Sequence, residues 1–456
     1  LAIYFGWQSL QYNPTMRYQL PIYPFLAMMA AWLAVQAGKQ WNEARRKIFF
    51  LFRPQVLLAV LGFLVLLLTA GWAVAFSSIY TRAEPRIAAS RWIYENVPAP
   101  LNLHLVLPDG TTDQEPLPFF SGLTVQSGIP YRTVFAARQD GVLTAVSFGH
   151  LEDLTASGRQ TITLTIASNP EPEPGQVLAS ATASVDFNSA GTQKGNALSI
   201  SFAQPIAIQA GQSYYLILET TGGSLVVSGS GVINETDYDW SLPFRIDGYD
   251  GFGGLYRGDL NLQIYWPDNV EKLERFLATL EEGDFIFIPT NHQYAQTTRI
   301  PERYPLTTAY YRALVGCPQG EDIIWCYRVA EPGMFEEQLG FELVATFENY
   351  PTLGPIVIND QAAEEAFTFY DHPKVLIFQK SEAYDPGRVA AILGAVDLGS
   401  VVQLLPGQAD DYKSLMLSEQ DFAIQQAGGT WSELFNRDAL LNKFPALGII
   451  VWYLLI

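Results

Sequence analysis

An uncharged apolar run near the start of the chain restricts its fold more than any other feature. From Pro54 to Phe76 the sequence reads PQVLLAVLGFLVLLLTAGWAVAF, without one charged side chain. At 1.5 Å per helical residue, such a run is long enough to cross a hydrocarbon layer of roughly 30 Å. Residues 54–79 are therefore predicted to form a transmembrane helix.

A second apolar run precedes the first. Residues 20–37 carry no charge, and their prolines fall in the first turns, where a missing N–H costs least. This run is predicted to be a second transmembrane helix. The loop between the two runs, residues 38–53, holds one acidic residue, Glu43, and five basic ones, Lys39, Arg45, Arg46, Lys47 and Arg53. The positive-inside rule predicts that this loop is cytoplasmic and that the large segment after residue 79 lies outside.

Both ends of the chain are apolar as well. Residues 1–10 are interpreted as the end of a truncated transmembrane helix, and residues 444–456 as the start of another. Residues 401–443 are then a membrane-proximal linker. These patterns predict an internal fragment of a multi-pass cell-membrane protein with a large extracytoplasmic domain, and they make the lipid bilayer its first partner.

Charge and composition exclude several classes of function. The chain has 27 basic and 46 acidic residues, a formal net charge of -19, which disfavours nucleic acid as a partner. Two cysteines and four histidines exclude a disulfide-rich scaffold and a zinc ribbon. No cofactor is predicted, and the sequence leaves open whether a divalent cation binds.

The segment outside the membrane divides into three parts. Residues 80–130 are predicted to be a membrane-proximal linker and helix, because Ile87, Ala88, Arg91, Trp92 and Glu95 share helical spacing. Residues 131–266 alternate with a period of two and contain many turn signals, which predicts a jelly-roll-like β-sandwich.

Residues 267–400 are predicted to form a small α/β domain. Asp268 and Glu271 have the spacing of a capping box, and the helix that follows should end at Gly283. Short apolar strands are predicted at 285–289, 339–347 and 375–378, and a helix should begin near Pro386. The predicted fold class is thus membrane α-helical segments with an extracytoplasmic β-sandwich and a small α/β domain.

Arg17 is the candidate site residue in the membrane portion. It lies just before the run at residue 20, where its guanidinium could bind a phosphate bidentately beside the lipid headgroups. An interfacial arginine that extends to the headgroups, within a belt of tyrosines, explains its position equally well.

Two aromatic and charged segments outside the membrane are candidates for ligand binding. Arg299, Arg303 and Arg312 alternate with Tyr310 and Tyr311 in an acidic domain, a combination suited to an anionic or sugar ligand; a structural charge network is favoured over it. Trp240 and Tyr249 could stack on a sugar, although loop aromatics are common in β-sandwiches.

Two further residue pairs and one acidic segment are candidates for chemistry. Asp371 and His372 could form an acid/base pair, but a structural role is favoured because no nucleophile accompanies them. Cys317 and Cys326 lie close together in a segment outside the membrane, which favours a disulfide over a metal site. Asp237 to Asp250 does not match the calcium-loop template. No metal site is predicted.

Several segments together resemble known membrane enzymes. Residues 17–24, RYQLPIYP, with the helices that follow and residues 82–98, are similar to the late membrane region of GT-C class glycosyltransferases. These include the dolichyl-phosphate-mannose protein mannosyltransferases and the lipid A aminoarabinose transferases. The segments at 299–305, 310–312, 363–374 and 429–435 resemble large prokaryotic proteins in which such a transferase is joined to a YYY-family membrane protein.

The resemblance implies transfer of a sugar, with inversion, from a polyprenyl-phosphate donor to a glycan or protein acceptor outside the membrane. The family's catalytic carboxylate would precede Leu1, so no catalytic residue is assigned and the fragment by itself is expected to be inactive. Arg17 is the one residue carried over, as a contact to the carrier phosphate. The alternative is a non-catalytic, membrane-anchored protein that binds glycan or envelope polymer.

Overall fold

The structure is a computed structural model of mixed α/β type. It describes residues 2–9, 20–44, 54–117, 119, 124–155, 158–186, 195–237, 242–244, 255–257, 260–363 and 365–402. Its parts are one long apolar helix, several antiparallel sheets, including one curled like half a barrel, and a small mixed sheet. The predicted segments 401–443 and 444–456 lie almost entirely outside the described residues.

Three helices occupy the N-terminal part, α1 (Ala2–Ser9), α2 (Tyr23–Ala44) and α3 (Pro54–Ser77). Among the described residues, one helical stretch is long and apolar enough to cross a membrane. It begins at Val60, and it contains an 18-residue window with a mean hydropathy of 2.2, of which 6% is buried. This stretch contains the C-terminal part of α3. The described apolar part of the other predicted span is shorter, Leu20–Leu33.

The described chain divides into two compact units. One contains the described parts of Leu1–Glu84 together with Asn349–His372; the other contains those of Pro85–Glu348 and Pro373–Gln403. Besides its helices, the first unit holds a two-stranded hairpin, β14 (Thr352–Leu353) and β15 (Ile356–Val357), and the short helix α9 (Glu365–Thr368).

Two antiparallel sheets of the second unit share one hydrophobic core, and we call them the two-sheet module. The larger sheet consists of β1 (Leu101–Val106), β2 (Thr112–Leu117), β3 (Thr124–Gln126), β5 (Gly141–Asp153), β8 (Asn196–Ile208) and β10 (Ser224–Ser228). The smaller has the order β4 (Tyr131–Ala136), β9 (Ser213–Thr221), β6 (Arg159–Ala167) and β7 (Val177–Asp186). Ile162, Leu164 and Ile166 point into the core, and the threonines between them face outward, as period two predicts.

The two-sheet module begins earlier than the sequence indicated. Strands β1 to β3 come from residues 101–126, which were assigned to the membrane-proximal linker, and β1 pairs with β5 over its whole length. Leu101, Leu103 and Leu105 alternate in the core. The residues between these leucines are Asn102 and His104, whereas threonines and serines separate the apolar residues of the later strands. The alternation of apolar and polar residues is therefore less evident in β1.

A small mixed sheet follows in the second unit, with the order β11 (Val232–Asn234), β12 (Phe285–Ile288), β16 (Val375–Lys380) and β13 (Phe341–Phe347). Strand β11 runs parallel to β12, and the other pairs are antiparallel. Helices accompany it, α5 (Val270–Glu282), α6 (His292–Thr297), α7 (Pro305–Val315), α8 (Ile323–Val329) and α10 (Pro386–Gly394). The three predicted apolar strands are therefore present.

Helix α4 (Pro85–Asn96) forms where the sequence predicts a helix. Its buried residues include Arg86, Ala89, Ile93 and Tyr94. Of the residues named for their helical spacing, Ile87, Arg91 and Glu95 are exposed. The helical spacing of these residues predicts the helix correctly. Both faces of the helix mix apolar and polar residues, so spacing along the chain does not show which face is buried.

A buried ion pair connects the start of α5 with α7. Lys272 Nζ donates to Asp268 Oδ1 at 2.7 Å, and the same oxygen accepts the hydroxyl of Thr307 at 2.8 Å. Asn269 caps the helix instead of the predicted Asp268, because its side chain accepts the N–H of Lys272 at 2.8 Å. Helix α5 ends before Gly283, as predicted.

Candidate functional site

A polar cleft lies between α4 and β2 within the second unit, and we call it the α4–β2 cleft. Its volume is about 190 Å³. Pockets for drug-sized ligands usually have 300–1,000 Å³, so this cleft suits one small group. Its lining consists of Arg91, Tyr94 and Glu95 from α4, Asp113, Gln114, Glu115 and Pro116 from β2, and Arg138 and Gln139 after β4.

Glu115 is the buried acidic group of the cleft, with 3% of its surface exposed. Burial raises the pKa of this carboxyl, and the nearby charge of Asp113 adds to the rise. The backbone N–H of Arg138, which donates to Glu115 Oε2 at 3.3 Å, opposes this, as does the charge of that arginine. A carboxyl with a shifted pKa inside a cleft is typical of a functional site.

Hydrogen bonds hold the β2 wall of the cleft in place. Asp113 accepts the backbone N–H of Gln114 at 2.9 Å and the side-chain amide of Gln139. Gln114 Nε2 in turn donates to Asn102 Oδ1 at 3.2 Å. Asn102 is itself buried and bonded to both backbone groups of Ala99. The amide and carboxylate groups along β2 therefore have defined positions before any ligand arrives.

The rim of the cleft carries opposite charges. Arg91 and Glu95 project from the exposed side of α4, one helical turn apart, and Arg138 is exposed after β4. Guanidinium groups donate hydrogen bonds, carboxylates accept them, and amides do both. The cleft can thus satisfy a small ligand that both donates and accepts, such as a sugar ring with several hydroxyl groups.

The titratable groups of the lining are the carboxyl groups of Glu95, Asp113 and Glu115, the guanidinium groups of Arg91 and Arg138 and the phenol of Tyr94. Within the described part of the chain, no group of three or more His, Cys, Asp or Glu residues is placed to hold a metal ion. The arrangement in the cleft offers hydrogen-bond donors and acceptors to a small polar ligand.

The structure does not bring the predicted arginine and tyrosine cluster together as a ligand site. Tyr310 and Tyr311 are fully buried, in a core with Tyr294 and Tyr327, and cannot touch a ligand. The hydroxyl of Tyr311 donates to the buried carboxylate of Glu235. Both tyrosines lie on the buried side of α7. The sequence pattern did not show which side of this helix is buried.

The three arginines of that segment have separate surroundings. Arg312 donates to the backbone oxygens of Pro318 at 2.6 Å and Glu321 at 3.1 Å, so its role is to hold the loop after α7. Arg303 lies over the ring of Tyr304, 5.4 Å from its centroid, and Arg299 is exposed. These contacts of Arg312 and Arg303 are to backbone oxygens and to a ring, not to carboxylates.

The remaining candidates are placed as follows. Cys317 and Cys326 are joined by a disulfide, with their Cα atoms 5.7 Å apart. Arg17, Trp240 and Tyr249 lie outside the described residues.

His372 does not pair with the adjacent Asp371. Instead its Nε2 lies 2.9 Å from Asp360 Oδ2, and the imidazole is fully buried against Phe76 of α3. Both His372 and Asp360 belong to the first unit. Their contact joins the segment that follows β15 to the segment that follows α9. The two side chains of this pair are 0% and 9% exposed.

The α4–β2 cleft was not identified from the sequence. Arg91 and Glu95 were noted only for their helical spacing, and the acidic and amide groups of β2 fell in a segment interpreted as linker. The alternation of Asp113 with Glu115 is the local signal that could have suggested a strand with an acidic face.

Comparison with known proteins adds no relative. No protein-family model matches the chain, and a search of curated proteins finds no match. The resemblance to GT-C class glycosyltransferases therefore rests on the quoted motifs, and it enters below as a proposal.

Proposed function

We propose that this chain is the membrane-anchored, extracytoplasmic part of a multi-pass glycosyltransferase related to the GT-C class. In this proposal α2 and α3 both span the cell membrane, and the two-sheet module is a jelly-roll-like sandwich. The α4–β2 cleft binds one sugar unit of the acceptor glycan. A polyprenyl-phosphate sugar is the donor, and Arg17 contacts its phosphate.

The composition of the cleft is the observation that supports glycan binding. Two guanidinium groups, three carboxyl groups and two side-chain amides surround it, with the aromatic ring of Tyr94 at one side. Sugar hydroxyls both donate and accept hydrogen bonds, and each good bond to a charged partner contributes about 1.5–3 kcal/mol. The cleft volume, about 190 Å³, suits a single ring rather than a long chain.

A non-catalytic, membrane-anchored protein that binds glycan or envelope polymer is the alternative. The same cleft is compatible with it, because the lining residues offer hydrogen bonds to a polar ligand whether or not a sugar is transferred. The two proposals share the binding step and differ in whether a sugar is transferred.

Binding can be tested on the purified full chain in detergent micelles. Mannose, N-acetylglucosamine and short oligosaccharides of each are titrated by calorimetry. We expect Arg91→Ala and Gln139→Ala each to weaken binding about tenfold, the equivalent of one lost hydrogen bond of roughly 1.4 kcal/mol. Gln212→Ala, at an exposed turn outside the cleft, is the matched control. Equal affinity in all three variants would exclude the cleft as the binding site.

Transfer is tested separately in membranes that contain the intact protein. A polyprenyl-phosphate sugar with a radioactive label is added, and the label in the glycan or protein fraction is counted. Arg17→Lys keeps the charge but removes the bidentate geometry, so we expect it to lose most transfer activity. Sugar binding without any transfer would favour the alternative function.

A further inference from the structure

The hairpin of β14 and β15 leaves apolar side chains without cover. Ile356 is 59% exposed and Val357 61%, and Leu353 at the tip is 40% exposed. From Tyr350 to Asn359 the segment carries no charged residue. Soluble surfaces seldom present a continuous apolar tip of this kind, and where they do it usually marks an interaction site.

Hydrogen bonds attach the base of this hairpin to the end of α3. Thr352 N donates to Ser78 Oγ at 2.8 Å, and Asn349 Nδ2 donates to the backbone oxygen of Ile79 at 2.9 Å. Arg82 donates to the backbone oxygen of Tyr350. All of these residues belong to the first unit, so the hairpin has a defined position beside the helix.

The side chain of Leu353 reaches back along α3. Its Cδ2 atom lies 3.9 Å from the position that a Cβ would take at Gly71. Gly71 precedes the last residue of α3 by about 9 Å of helix. With 24 residues α3 is about 36 Å long, some 6 Å more than the hydrocarbon layer. If α3 spans the membrane, the Leu353 side chain therefore reaches acyl chains, while the Thr352 backbone stays at the hydrated boundary.

Three aromatic residues, two near the end of α3 and one just after it, lie at the level of the hairpin. Trp72, Phe76 and Tyr80 follow one another at intervals of one turn, with successive ring centroids 6.2 Å apart. Tyr80 is 65% exposed and Trp72 42%. Tryptophan and tyrosine concentrate at the membrane boundary, where one end of the side chain is apolar and the other hydrated.

We propose that the β14–β15 hairpin inserts its tip into the bilayer, in the leaflet at the C-terminal end of α3. Leu353, Ile356 and Val357 lie among the acyl chains, and the backbone of the hairpin stays near the headgroups, where water can satisfy its polar atoms. The hairpin is thus a second membrane contact, which holds residues 349–372 against the lipid surface. The inference rests on the proposed membrane position of α3.

Depth-dependent fluorescence quenching tests this proposal. The full chain is reconstituted into phosphatidylcholine vesicles, with an NBD label on a single introduced cysteine, either Ile356→Cys, Leu64→Cys or Thr182→Cys. The native cysteines form a disulfide and do not react with the label. Leu64 lies within α3, and Thr182 is exposed on β7 among hydroxyl side chains. Lipids with a doxyl quencher at carbon 5 or carbon 12 report the depth.

We expect the label at position 356 to be quenched more by the shallow quencher than by the deep one, and the label at 182 by neither. Quenching at 64 without quenching at 356 overturns the hairpin proposal and leaves α3 in the membrane. No quenching at 64 overturns the membrane position of α3 itself, and the hairpin proposal with it. A blue-shifted but unquenched label at 356 shows that protein covers the hairpin, which also overturns the proposal.

A charge at the tip supplies a second test. Ile356→Asp is at an exposed position, so it removes little packing, but a carboxylate is unfavourable among acyl chains. With the label moved to Val357→Cys, we expect this change to abolish most of the quenching there, and quenching at position 64 to persist. Unchanged quenching at 357 contradicts insertion of the tip.

Discussion

At the scale of single residues, burial decides which carboxyl groups have a shifted pKa. Glu115 lies 3% exposed at the floor of the α4–β2 cleft, and its neighbour Arg138 compensates only part of the cost of burying a charge. Glu95 has the same chemistry but is exposed on α4. The two glutamates cannot be distinguished by residue type. They differ because β2 buries Glu115, whereas α4 leaves Glu95 exposed.

The raised pKa of Glu115 predicts a pH-dependent stability. Because the folded state holds this proton more tightly than the unfolded chain, the free energy of unfolding should fall as pH rises above the ordinary glutamate pKa of about 4.3. Glu115→Gln removes this contribution, so the variant should gain stability relative to the native chain over that window. Urea unfolding of the chain from pH 4 to pH 7 measures the difference.

The control for this measurement is Gln114→Ala, a neutral change in the same strand. It should alter stability by an amount that does not depend on pH, because neither side chain titrates. Parallel stability curves for the native chain and Glu115→Gln would contradict the assignment of a raised pKa.

At the scale of secondary-structure elements, side chains from distant parts of the sequence hold neighbouring helices. The ammonium group of Lys272 in α5 lies 2.7 to 2.9 Å from four acceptor oxygens, those of Asp268, of Thr307 in α7 and of the Ile264 and Trp266 backbone, and its three N–H groups are shared among them. Both charged groups are fully buried. Burial lowers the pKa of Lys272, and the carboxylate of Asp268 opposes that effect.

Removing one member of this pair should be costly. Lys272→Met leaves the carboxylate of Asp268 buried without its cation, which typically costs about 3–5 kcal/mol. The double variant Lys272→Met with Asp268→Leu should lose less than the sum of the two single changes, because no charge is then left unpaired. Chemical unfolding measures all three variants, and Glu271→Gln, on the exposed side of α5, is the control. Additive effects would show that the pair is not coupled.

The disulfide between α7 and α8 should stabilise the same domain. Cys317 and Cys326 close a short loop, with a sequence separation of 9. In the chain-entropy description such a loop contributes roughly 2 to 3 kcal/mol. We expect Cys317→Ser with Cys326→Ser to lower the free energy of unfolding by about that amount. Mass spectrometry of the non-reduced chain provides the control, and two free thiols there would refute the bridge.

At the scale of the whole molecule, the distribution of charge along the sequence predicts the orientation in the membrane. The basic residues of the 38–53 loop lie between two apolar runs, whereas acidic residues predominate after residue 79. The positive-inside rule therefore predicts a cytoplasmic loop and an outer domain.

This orientation is testable in intact cells. Because the native cysteines are joined to each other, Ala44→Cys and Thr182→Cys each introduce one reactive thiol. A maleimide that cannot cross membranes should label position 182 and leave position 44 unlabelled until the cells are opened. Labelling of position 44 from outside would reverse the predicted topology.

The sequence by itself determined the features that depend on neighbours along the chain. The long run of Pro54 to Phe76 predicts α3, because an uncharged apolar run of this length favours a helix that is long and apolar enough to cross a membrane. Alternation at Ile162, Leu164 and Ile166 predicts β6, and Gly283 marks the end of α5. Each of these signals lies within one element, so it could be interpreted without knowing what packs against it.

The tertiary structure alone decided which side chains meet. It buried Tyr310 and Tyr311, chose the inner face of α4, and placed Glu115 opposite Arg91 in a cleft. It also used Asn269 rather than Asp268 as the cap of α5, because Asp268 was engaged by Lys272 and Thr307. These outcomes depend on contacts between residues far apart in sequence, and local spacing carries no information about such contacts.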